Sequence, residues 1–433
     1  MASVRVGPPP RGLAATLGVP GDKSIAHRAL LLGALAEGTT TVSGFPGGGD
    51  VLSSLGAMRA LGARIARAGD AVRIDGAGGR LGSDGRGVID CGNSGTTMRL
   101  TAGLVAGGPG TVVLDGDDSL RRRPMERVAA PLRAMGAAVQ TTEGHAPVTV
   151  RGAALRAIDW TLRVPSAQVK SAILLAGLAA RGTTRVCEPL ASRDHTERLL
   201  GHLGVRLERA AGSIEIEGGQ RPIGTAVPLP GDVSSAAFLV VAALVVAGSE
   251  LRLADVGVNP TRTGALAILR RMGAPIEVVG THDLAGEPRA ELRVRAARLR
   301  GTTVTPAEVP GAIDELPILC VAAAFADGET TITGARELRV KESDRIAALE
   351  QLRLLGVGVS AREDGLVIRG TGGRRLRPGR VESHGDHRIA MAFGVAGLAA
   401  DGGVEIADAD VAEVSFPGFF ARLAELGAAV EGI

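Results

Sequence analysis

Apolar positions recur with helical spacing near the start of the chain. Ile25, Ala29, Leu32 and Ala36 follow one another about one turn apart and form a single apolar stripe. The stretch before them, PGDKS, is polar, and the stretch after them, EGTTTV, is rich in Thr and Val. This order predicts a polar turn, a helix, a glycine near its end and a short strand.

The same order of turn, Ala/Leu helix and Thr/Val strand occurs six times, about 70 residues apart. Each copy is followed by a second helix closed by glycine and then by a strand pair, which is truncated in the last copy. We therefore predict six βαβαββ units. The six copies begin with PGDKSIAHRALLLGALAEGTT, CGNSGTTMRLTAGLVAGGPGTVVLDG, VPSAQVKSAILLAGLAARGTTRVCE, LPGDVSSAAFLVVAALVVAGSELRLAD, VPGAIDELPILCVAAAFADGETTITG and SHGDHRIAMAFGVAGLAADGGVEIAD.

The six units predict an α/β protein, of mixed α+β type, with two similar domains of three units each. A chain of 433 residues is too long for one core and suits two domains. The expected first domain is 20–230, and the second is 231–433 together with 1–19. The sixth unit stops before its final strands, so we expect the N-terminal segment to supply one.

Composition excludes several classes of protein. With 45% hydrophobic residues the chain is globular, and its longest apolar run, AAFLVVAALVVAG, is too short to span a bilayer. The net charge of +3 has no basic block behind it, and with only 2% aromatic residues stacking on nucleic-acid bases is not expected. Three cysteines without zinc spacing suggest a reducing cytoplasm and no metal site.

Several cationic residues lie at predicted helix starts, where the helix dipole disfavours positive charge. Asp232 suits the role of an N-cap, but Lys23, Arg28, Arg99 and Arg388 oppose the positive end of a helix dipole. Helix N-termini also offer free N–H groups to anions. Several such helix ends facing one cleft would form a chamber for anionic ligands.

Lysine is rare in this chain. Of 49 basic residues only Lys23, Lys170 and Lys341 are lysines. Arg cannot replace Lys where a compact or titratable ammonium is needed. We interpret Lys23 and Lys341, which stand in polar motifs, as functional, and Lys170 as drift under a strong codon bias.

These motifs carry a family resemblance over essentially the whole chain. The sequence resembles the 5-enolpyruvylshikimate-3-phosphate synthases, the 3-phosphoshikimate 1-carboxyvinyltransferases, through PGDKSIAHRALLLGAL, CGNSGTTMRL, RRRPM, PSAQVKSAILLAGL, SRDHTE, RVKESDR and DHRIAM. The resemblance implies two domains of three units with the active site in the cleft between them. It also implies transfer of the enolpyruvyl group of phosphoenolpyruvate to the 5-hydroxyl of shikimate 3-phosphate, in the pathway to aromatic amino acids. Phosphate is released, with neither metal nor organic cofactor, and we expect a cytoplasmic monomer.

Matching the family's motifs position by position implies a set of site residues. Asp314 resembles the base for the 5-hydroxyl, Glu342 the group that transfers a proton at the methylene, and Lys23 a catalytic cation shared by both substrates. The implied contacts to shikimate 3-phosphate are Lys23, Ser24, Arg28, Ser166, Ala167, Gln168, Arg193, Asp314 and Lys341. The implied contacts to phosphoenolpyruvate are Lys23, Asn93, Gly95, Arg123, Gln168, Arg345 and Arg388.

Some of these residues have plainer interpretations, and some positions depart from the family. Arg345 could pair with Glu342 or Glu350 on an exposed helix. Asp314 and Glu315 could both be first-turn partners of the helix dipole, and only the family pattern favours Asp314. His27 and His387 are interpreted as structural. The departures from the family include Val414, where many members have Lys; Ala167, where some have Ser; Leu100, where some have Pro; and Arg193, which would serve in place of a Tyr. Gly95, where Ala excludes the inhibitor glyphosate in this family, implies a glyphosate-sensitive enzyme.

Two alternatives stay open at this stage. The sister enolpyruvyl transferase that acts on UDP-N-acetylglucosamine has a similar fold, but its mobile loop usually carries a reactive Cys, and DGDDSLRRRPM has none. A non-catalytic polyanion-binding protein of the same fold would bind with a steep salt dependence. It would not explain why Asp314 and Glu342 stand among the cations.

Overall fold

The computed structural model describes residues 3–79, 81–82 and 87–432. These residues divide into two compact units, which are described separately. The first unit comprises Gly21–Leu229 with the short segment Asp283–Glu287. The second comprises the chain up to Pro20, Pro230–His282 and the chain from Pro288 onwards. A separate cluster of buried hydrophobic residues fills each unit.

The N-terminal segment forms two strands of the second unit, β1 (Val4–Gly7) and β2 (Ala14–Leu17). The first unit follows. Its elements are α1 (Lys23–Leu35), β3 (Thr39–Ser43), α2 (Gly49–Ala60), β4 (Arg64–Ala68), β5 (Ala71–Asp75), β6 (Val88–Asp90), α3 (Gly95–Val105), β7 (Thr111–Asp115), α4 (Asp118–Arg121), α5 (Glu126–Ala134), β8 (Ala138–Thr142), β9 (His145–Arg151), β10 (Asp159–Thr161), α6 (Ala167–Gly177), β11 (Thr183–Cys187), α7 (His195–His202), β12 (Leu207–Ala210), β13 (Ser213–Glu217) and β14 (Ala226–Pro228).

The rest of the chain supplies the other elements of the second unit, except that the segment Asp283–Glu287, within one strand pair, belongs to the first unit. They are α8 (Val233–Val245), β15 (Glu250–Gly257), α9 (Gly264–Arg271), β16 (Ile276–Leu284), β17 (Glu287–Arg295), β18 (Thr303–Val304), α10 (Val309–Ala312), α11 (Leu316–Phe325), β19 (Glu329–Ile332), α12 (Arg345–Leu349), β20 (Gly358–Arg362), β21 (Gly365–Arg369), β22 (Gly379–Glu382), α13 (His387–Gly397), β23 (Val404–Ala407), α14 (Phe419–Glu425) and β24 (Ala429–Glu431). Short 3-10 helices cover Arg336–Val340, Glu350–Leu355 and Ala409–Val414.

The strands form small mixed sheets of one recurring design, which confirms the predicted α/β class. In the first unit the strand orders are β14-β3-β5-β4, β6-β7-β9-β8 and β10-β11-β13-β12; in the second they are β16-β17-β15-β2, β18-β19-β21-β20 and β22-β23-β1-β24. Strands joined through a helix pair in parallel, as β6 and β7 do through α3. Strands joined by a tight turn pair antiparallel. Between β8 and β9 that turn is Glu143–Gly144, with φ of 52° and 83°, a conformation that favours glycine.

The N-terminal strand β1 completes the sheet of the sixth repeat. It pairs antiparallel with β23, where Val6 faces Val404, and with β24, where Val6 faces Val430. It thus occupies the position that the last strand of the repeat holds in the other sheets. The parallel first strands of the first and fourth repeats, β14 and β2, likewise come from distant parts of the chain.

Helices from the repeats pack closely inside each unit. In the first unit, α3 and α6 approach so closely that a Cβ atom on Gly103 would lie 2.3 Å from the carbonyl oxygen of Ala172. In the second unit, Phe416, Phe419 and Phe420 make edge-to-face contacts with ring centroids 5.3 Å apart. Because these helices are buried and closely packed, the positions of their N-terminal turns, which carry predicted site residues, are fixed.

Side-chain caps begin most of the repeat helices. Asp232 caps α8 by accepting a hydrogen bond from the backbone of Ser234 at 2.9 Å, as predicted. The helices α1, α3, α6 and α13 are capped in the same way by Asp22, Ser94, Ser166 and Asp386. The cations in these turns are therefore not the capping groups.

Candidate active site

Lys23 is the first residue of α1. Its ammonium lies 2.6 Å from Oδ2 of Asp50, near the start of α2, and both side chains are mostly buried. The backbone N–H of Ile25 is taken by the cap Asp22. Asp50 therefore offsets the cost of a cation at the positive end of the helix, and it holds the ammonium in one place.

Arg28 lies one turn further along α1 and is buried. Its Nε donates to Thr196 Oγ1 at 2.6 Å, one Nη donates to the carbonyl oxygen of Ser24 at 2.8 Å, and the other donates to Ser171 Oγ at 3.0 Å. These three hydrogen bonds end on neutral oxygens. They hold the guanidinium of Arg28 in a fixed direction.

Asn93 and Arg123 meet beside the start of α3. Arg123 donates a short hydrogen bond to Oδ1 of Asn93 and a weaker one to Ser119 Oγ at 3.3 Å. The amide nitrogen of Asn93 donates to Asp117 at 2.8 Å. Arg123 is only 7% exposed, so this guanidinium is a fixed donor rather than a solvated surface charge.

Gly95, the first residue of α3, lies against two guanidinium groups. A Cβ atom there would be 2.8 Å from an Nη of Arg99 and 3.4 Å from an Nη of Arg123. Arg99 donates to Gln168 Oε1 at 2.6 Å, and the nitrogen of the same amide donates to Thr96 at 2.9 Å. The structure thus brings the predicted residues of α3 and α6 together, with Arg99 as the link.

Ser166 and Ala167 lie at the start of α6, and Arg193 lies shortly before α7. Ser166 caps α6 through the backbone of Val169, and Ala167 is the first residue of that helix. Arg193 lies in the loop before α7 and is half-buried. Its neighbour Ser192 is fixed by hydrogen bonds to Glu188 at 2.6 and 3.2 Å.

Asp314, in the second unit, lies close to three cationic side chains. Lys341 donates to its Oδ1 at 3.2 Å, and an Nη of Arg345 lies 3.7 Å from the same oxygen. Arg388, in the first turn of α13, donates to the backbone carbonyl of Asp314 at 2.8 Å. The Asp314 side chain is thus oriented by three cations, and at 17% exposure it remains open to a ligand.

Glu342 shares the guanidinium of Arg345. An Nη of Arg345 donates to Glu342 at 2.6 Å, and Nε donates to the buried carboxylate of Asp386 at 2.7 Å. Burial alone would lower the pKa of Arg345, but the neighbouring carboxylates raise this pKa above its ordinary value. Because Arg345 is only 1% exposed, the interpretation that it forms a surface ion pair is wrong.

Asp314 and Glu315 differ in exposure. The Glu315 side chain is 1% exposed and accepts a short hydrogen bond from Ser234, which also accepts from Arg262 at 2.6 Å. The side chain of Asp314 is 17% exposed. Only Asp314 can therefore reach a ligand, while Glu315 is held within the protein.

His27 and His387 lie inside helices and are buried. His27 Nδ1 is 2.7 Å from Ser54 Oγ, and Ser54 in turn is 2.7 Å from Thr97. Burial lowers the pKa of His27 well below 6.5, and the charges of Lys23 and Arg28 add to this effect. A neutral imidazole that links α1, α2 and α3 fits the structural role predicted for His27.

Several partners of these residues were missed in the sequence. Asp50, which holds Lys23, lies outside every motif. Ser171, Thr196 and Asp386 lie within motifs, but nothing in the sequence marks them as the partners of Arg28 and Arg345. In the sequence Arg99 stands out only as a cation at a helix start. The interpretation of Lys170 as drift is also corrected, because this lysine is buried against the carboxylates of Glu188 and Glu197.

The described residues offer neither a cluster of metal ligands nor a helix suited to span a membrane. In that part of the chain, no group of three or more His, Cys, Asp or Glu side chains is arranged to hold a metal ion. None of its helices combines the length and the apolar character that a membrane span needs.

The sequence and the fold match known proteins over nearly their full length. The family model described as EPSP synthase (3-phosphoshikimate 1-carboxyvinyltransferase) matches residues 8–423. A 3-phosphoshikimate 1-carboxyvinyltransferase of Halorhodospira halophila is 54% identical over 417 residues, which cover 95% of this chain and 94% of the relative. The enzyme of that name from Geobacter metallireducens is 49% identical over 423 residues, covering 97% and 98%.

Solved structures give the same picture. The EPSP synthase of Acinetobacter baumannii has a TM-score of 0.89 and 42% identity, covering 100% of this chain and 99% of its own. The enolpyruvyl transferase NikO of Streptomyces tendae, at 19% identity, shares the fold, with a TM-score of 0.79 and coverage of 99% and 98%. Since the family model and relatives about half identical both span almost all of the sequence, the chain belongs to the EPSP synthase (3-phosphoshikimate 1-carboxyvinyltransferase) family.

Proposed function

We propose that this protein transfers the enolpyruvyl group of phosphoenolpyruvate to the 5-hydroxyl of shikimate 3-phosphate and releases phosphate. The observation that carries the proposal is the set of groups around Arg345, where one buried guanidinium contacts Asp314 at 3.7 Å and Glu342 at 2.6 Å. Addition of a hydroxyl group to an enol phosphate needs a proton acceptor and a proton donor close together. Because the chain belongs to the EPSP synthase family, we infer that these carboxylates act on phosphoenolpyruvate and shikimate 3-phosphate.

Asp314 and Glu342 divide the proton transfers in this proposal. Asp314 accepts the proton of the 5-hydroxyl as its oxygen bonds to C2 of phosphoenolpyruvate, while Glu342 donates a proton to the methylene carbon. In the second step that carbon returns a proton to Glu342, the bond from C2 to the phosphate oxygen breaks, and phosphate leaves with the proton that Asp314 had accepted. An anionic substrate at Arg345 adds negative charge beside Glu342, which favours the protonated carboxyl that donation requires.

The remaining residues supply fixed positive charge and hydrogen-bond donors. We assign the phosphoenolpyruvate carboxylate and phosphate to Arg123, Arg345 and Arg388, whose planar guanidinium groups suit both anions. Asn93 and Gly95 would line the same pocket, and Lys23 and Gln168 would contact both substrates.

We assign shikimate 3-phosphate to Ser24, Arg28, Ser166, Ala167, Gln168, Arg193, Asp314 and Lys341. Val414, at the end of a 3-10 helix, supplies no cation to the phosphoenolpyruvate pocket, so the guanidinium groups carry this task without the Lys that many family members have there.

The sister activity on UDP-N-acetylglucosamine has less support. Burial raises the pKa of the Cys91 and Cys320 thiols to about 12, so neither offers a reactive thiolate. Cys187, on β11, lies outside the loop where that sister family carries its cysteine.

We further propose that the protein is a monomer in the cytoplasm. Light scattering on the purified protein would test its oligomeric state, and fractionation of its source cells would test its location.

The direct test is phosphate release from phosphoenolpyruvate with shikimate 3-phosphate or UDP-N-acetylglucosamine as the second substrate. We expect release with shikimate 3-phosphate only. Release only with the sugar nucleotide would transfer the chain's activity to the sister reaction, and release with neither would leave a binding protein.

Single substitutions then test the two carboxylates. We expect Asp314→Asn and Glu342→Gln to lower kcat by about 100-fold or more, as removal of a general acid or base does. Glu350→Gln is the matched control, because Glu350 pairs with Arg353 at the surface. A Glu342→Gln variant with the kcat of this control would remove Glu342 from the mechanism.

A further inference from the structure

Lys170 is the third lysine of the chain, and its side chain is only 1% exposed. Its ammonium lies 2.6 Å from Oε1 of Glu188 and 2.7 Å from Oε1 of Glu197, and both carboxylates are themselves buried. The carbonyl oxygen of Ser192 lies 3.5 Å away. Three acceptors around one nitrogen suit the compact ammonium of lysine better than a planar guanidinium, which explains a lysine here in an arginine-rich chain.

These contacts join three separate elements of the first unit. Lys170 lies on α6, Glu188 directly follows β11, and Glu197 lies in the first turn of α7. Glu188 also accepts hydrogen bonds from the backbone and hydroxyl of Ser192. The ammonium therefore fixes α6 against the start of α7 and fixes the residue that precedes Arg193.

The residues next to Lys170 and Glu197 in sequence hold Arg28. Ser171 Oγ and Thr196 Oγ1 are 2.6 Å apart, and they accept hydrogen bonds from Arg28 at 3.0 and 2.6 Å. One hydroxyl belongs to α6 and the other to α7. The direction of the Arg28 guanidinium thus depends on how these two helices are placed against each other.

We infer that Lys170 is a positioning residue for shikimate 3-phosphate, which it reaches through Arg28 and Arg193 rather than by contact. This inference rests on the proposed function, which assigns both arginines to that substrate. Without the ammonium, Glu188 and Glu197 would be left as neighbouring buried carboxylates that repel each other or bind protons. The start of α7 would shift, and with it Thr196 and the loop that carries Arg193.

The test compares Lys170→Met with the double variant Lys170→Met/Glu197→Gln, which keeps the net charge of the cluster. We expect both to raise the KM for shikimate 3-phosphate by about tenfold, the effect of one misplaced charge-assisted hydrogen bond. The KM for phosphoenolpyruvate and kcat at saturating substrates should change by less than about threefold, since Arg123, Arg345 and Arg388 do not touch this cluster. Binding of shikimate 3-phosphate alone, measured by calorimetry, should weaken by the same factor.

Leu174→Ala is the matched control, because Leu174 is buried in the same helix and its apolar side chain can form no hydrogen bond to these polar groups. It should lower the melting temperature without raising the KM for shikimate 3-phosphate. Thr196→Val removes one hydroxyl that joins the cluster to Arg28 and buries no new charge. It should raise the same KM even if the Lys170 variants do not fold.

Three results would overturn the inference: an unchanged KM for shikimate 3-phosphate in a folded Lys170 variant or in Thr196→Val, an equal rise in the KM for phosphoenolpyruvate, or the same KM change in Leu174→Ala. Failure of the proposed function is distinguishable from these. It would appear as the absence of shikimate 3-phosphate turnover in the unsubstituted protein.

Discussion

At the scale of single residues, Gly95 sets the space between two guanidinium groups. A methyl group there would lie 2.8 Å from an Nη of Arg99, which is too close, and 3.4 Å from an Nη of Arg123, which is ordinary contact. The end of the Arg99 side chain is flexible and can move, but its hydrogen bond to Gln168 would be disturbed. The effect of a larger residue should therefore fall on ligand binding more than on folding.

We expect Gly95→Ala to raise the KM for phosphoenolpyruvate by about three- to tenfold, equivalent to about 1 kcal/mol, with a smaller change for shikimate 3-phosphate. The unsubstituted protein should be inhibited by glyphosate in competition with phosphoenolpyruvate, and Gly95→Ala should need a higher glyphosate concentration. Steady-state kinetics with both substrates varied checks this. Undiminished turnover of the unsubstituted protein in millimolar glyphosate at low phosphoenolpyruvate would refute it.

His27 predicts a pH dependence of stability. Its pKa in the folded protein lies below 6.5 because the ring is buried near Lys23 and Arg28. Above pH 6.5 the ring is neutral in both the folded and the unfolded state, so it does not change the free energy of unfolding. As the pH falls below 6.5, the ring gains a proton in the unfolded chain but not in the folded protein. Stability is therefore lost on acidification, by about 1.4 kcal/mol per pH unit until the folded pKa is reached.

Urea unfolding of the unsubstituted protein and of His27→Gln between pH 5 and 8 isolates this effect from other groups. The free energies of unfolding of the two proteins should converge as the pH falls from about 6.5, because glutamine does not titrate. A difference that stays constant over this range would show that folding does not lower the pKa of His27.

At the scale of secondary-structure elements, the N-terminal turns of α1, α3 and α6 carry most of the site residues of the first unit. Their relative placement depends on how closely the helices pack. The backbone of Ala172 on α6 lies where a Cβ of Gly103 on α3 would be, at 2.3 to 2.7 Å. Any side chain at Gly103 must push these two helices apart, since backbone cannot yield as a side-chain end can.

We expect Gly103→Ala to lower the free energy of unfolding by about 1–3 kcal/mol, the range for overpacked cores. It should also raise the KM for phosphoenolpyruvate, because the hydrogen bond of Arg99 to Gln168 spans the two helices. Gly56→Ala on α2 is the matched control: nothing lies within 4 Å of its Cβ position, so alanine should stabilise by about 0.5–1 kcal/mol. If both variants stabilise equally, the close approach of α3 and α6 is not maintained in solution.

At the scale of the whole molecule, each unit encloses its own core, and the second unit is completed by strand β1 from the start of the chain. Val6 in β1 and Val150 in β9 hold equivalent places, each buried on the third strand of its sheet. The single tryptophan, Trp160 on β10, belongs to the first unit. Its fluorescence therefore reports on that unit.

We expect Val6→Ala and Val150→Ala each to destabilise their own unit by about 2 kcal/mol through lost burial and cavity formation. In urea, Val150→Ala should lower the midpoint of the Trp160 fluorescence change. Val6→Ala should leave that midpoint in place and lower only the part of the circular dichroism change that comes from the second unit. If both variants shift both signals together, the two cores unfold as one cooperative system.

The periodic pattern of the sequence determined the repeats, the helix starts and the mixed α/β class. Each of these features is local, because helix periodicity, caps and glycine stops act within a few residues of one another. The motifs also identified which helix ends carry cations, as at Lys23 and Arg388. Even so, a local pattern could not tell that Arg345 is buried or that Lys170 is more than drift.

Only the tertiary structure decided which groups face these cations. Asp50 is 27 residues from Lys23 and Thr196 is 168 residues from Arg28, so their pairing depends on the packing of whole helices. The same holds for Asp386, which shares the guanidinium of Arg345 with Glu342. The sequence by itself determined the repeating elements and the chemical groups at their ends, because both depend only on residues that are close together in the chain. The partners that fix the charge and direction of those groups were decided by long-range packing, which no local pattern encodes.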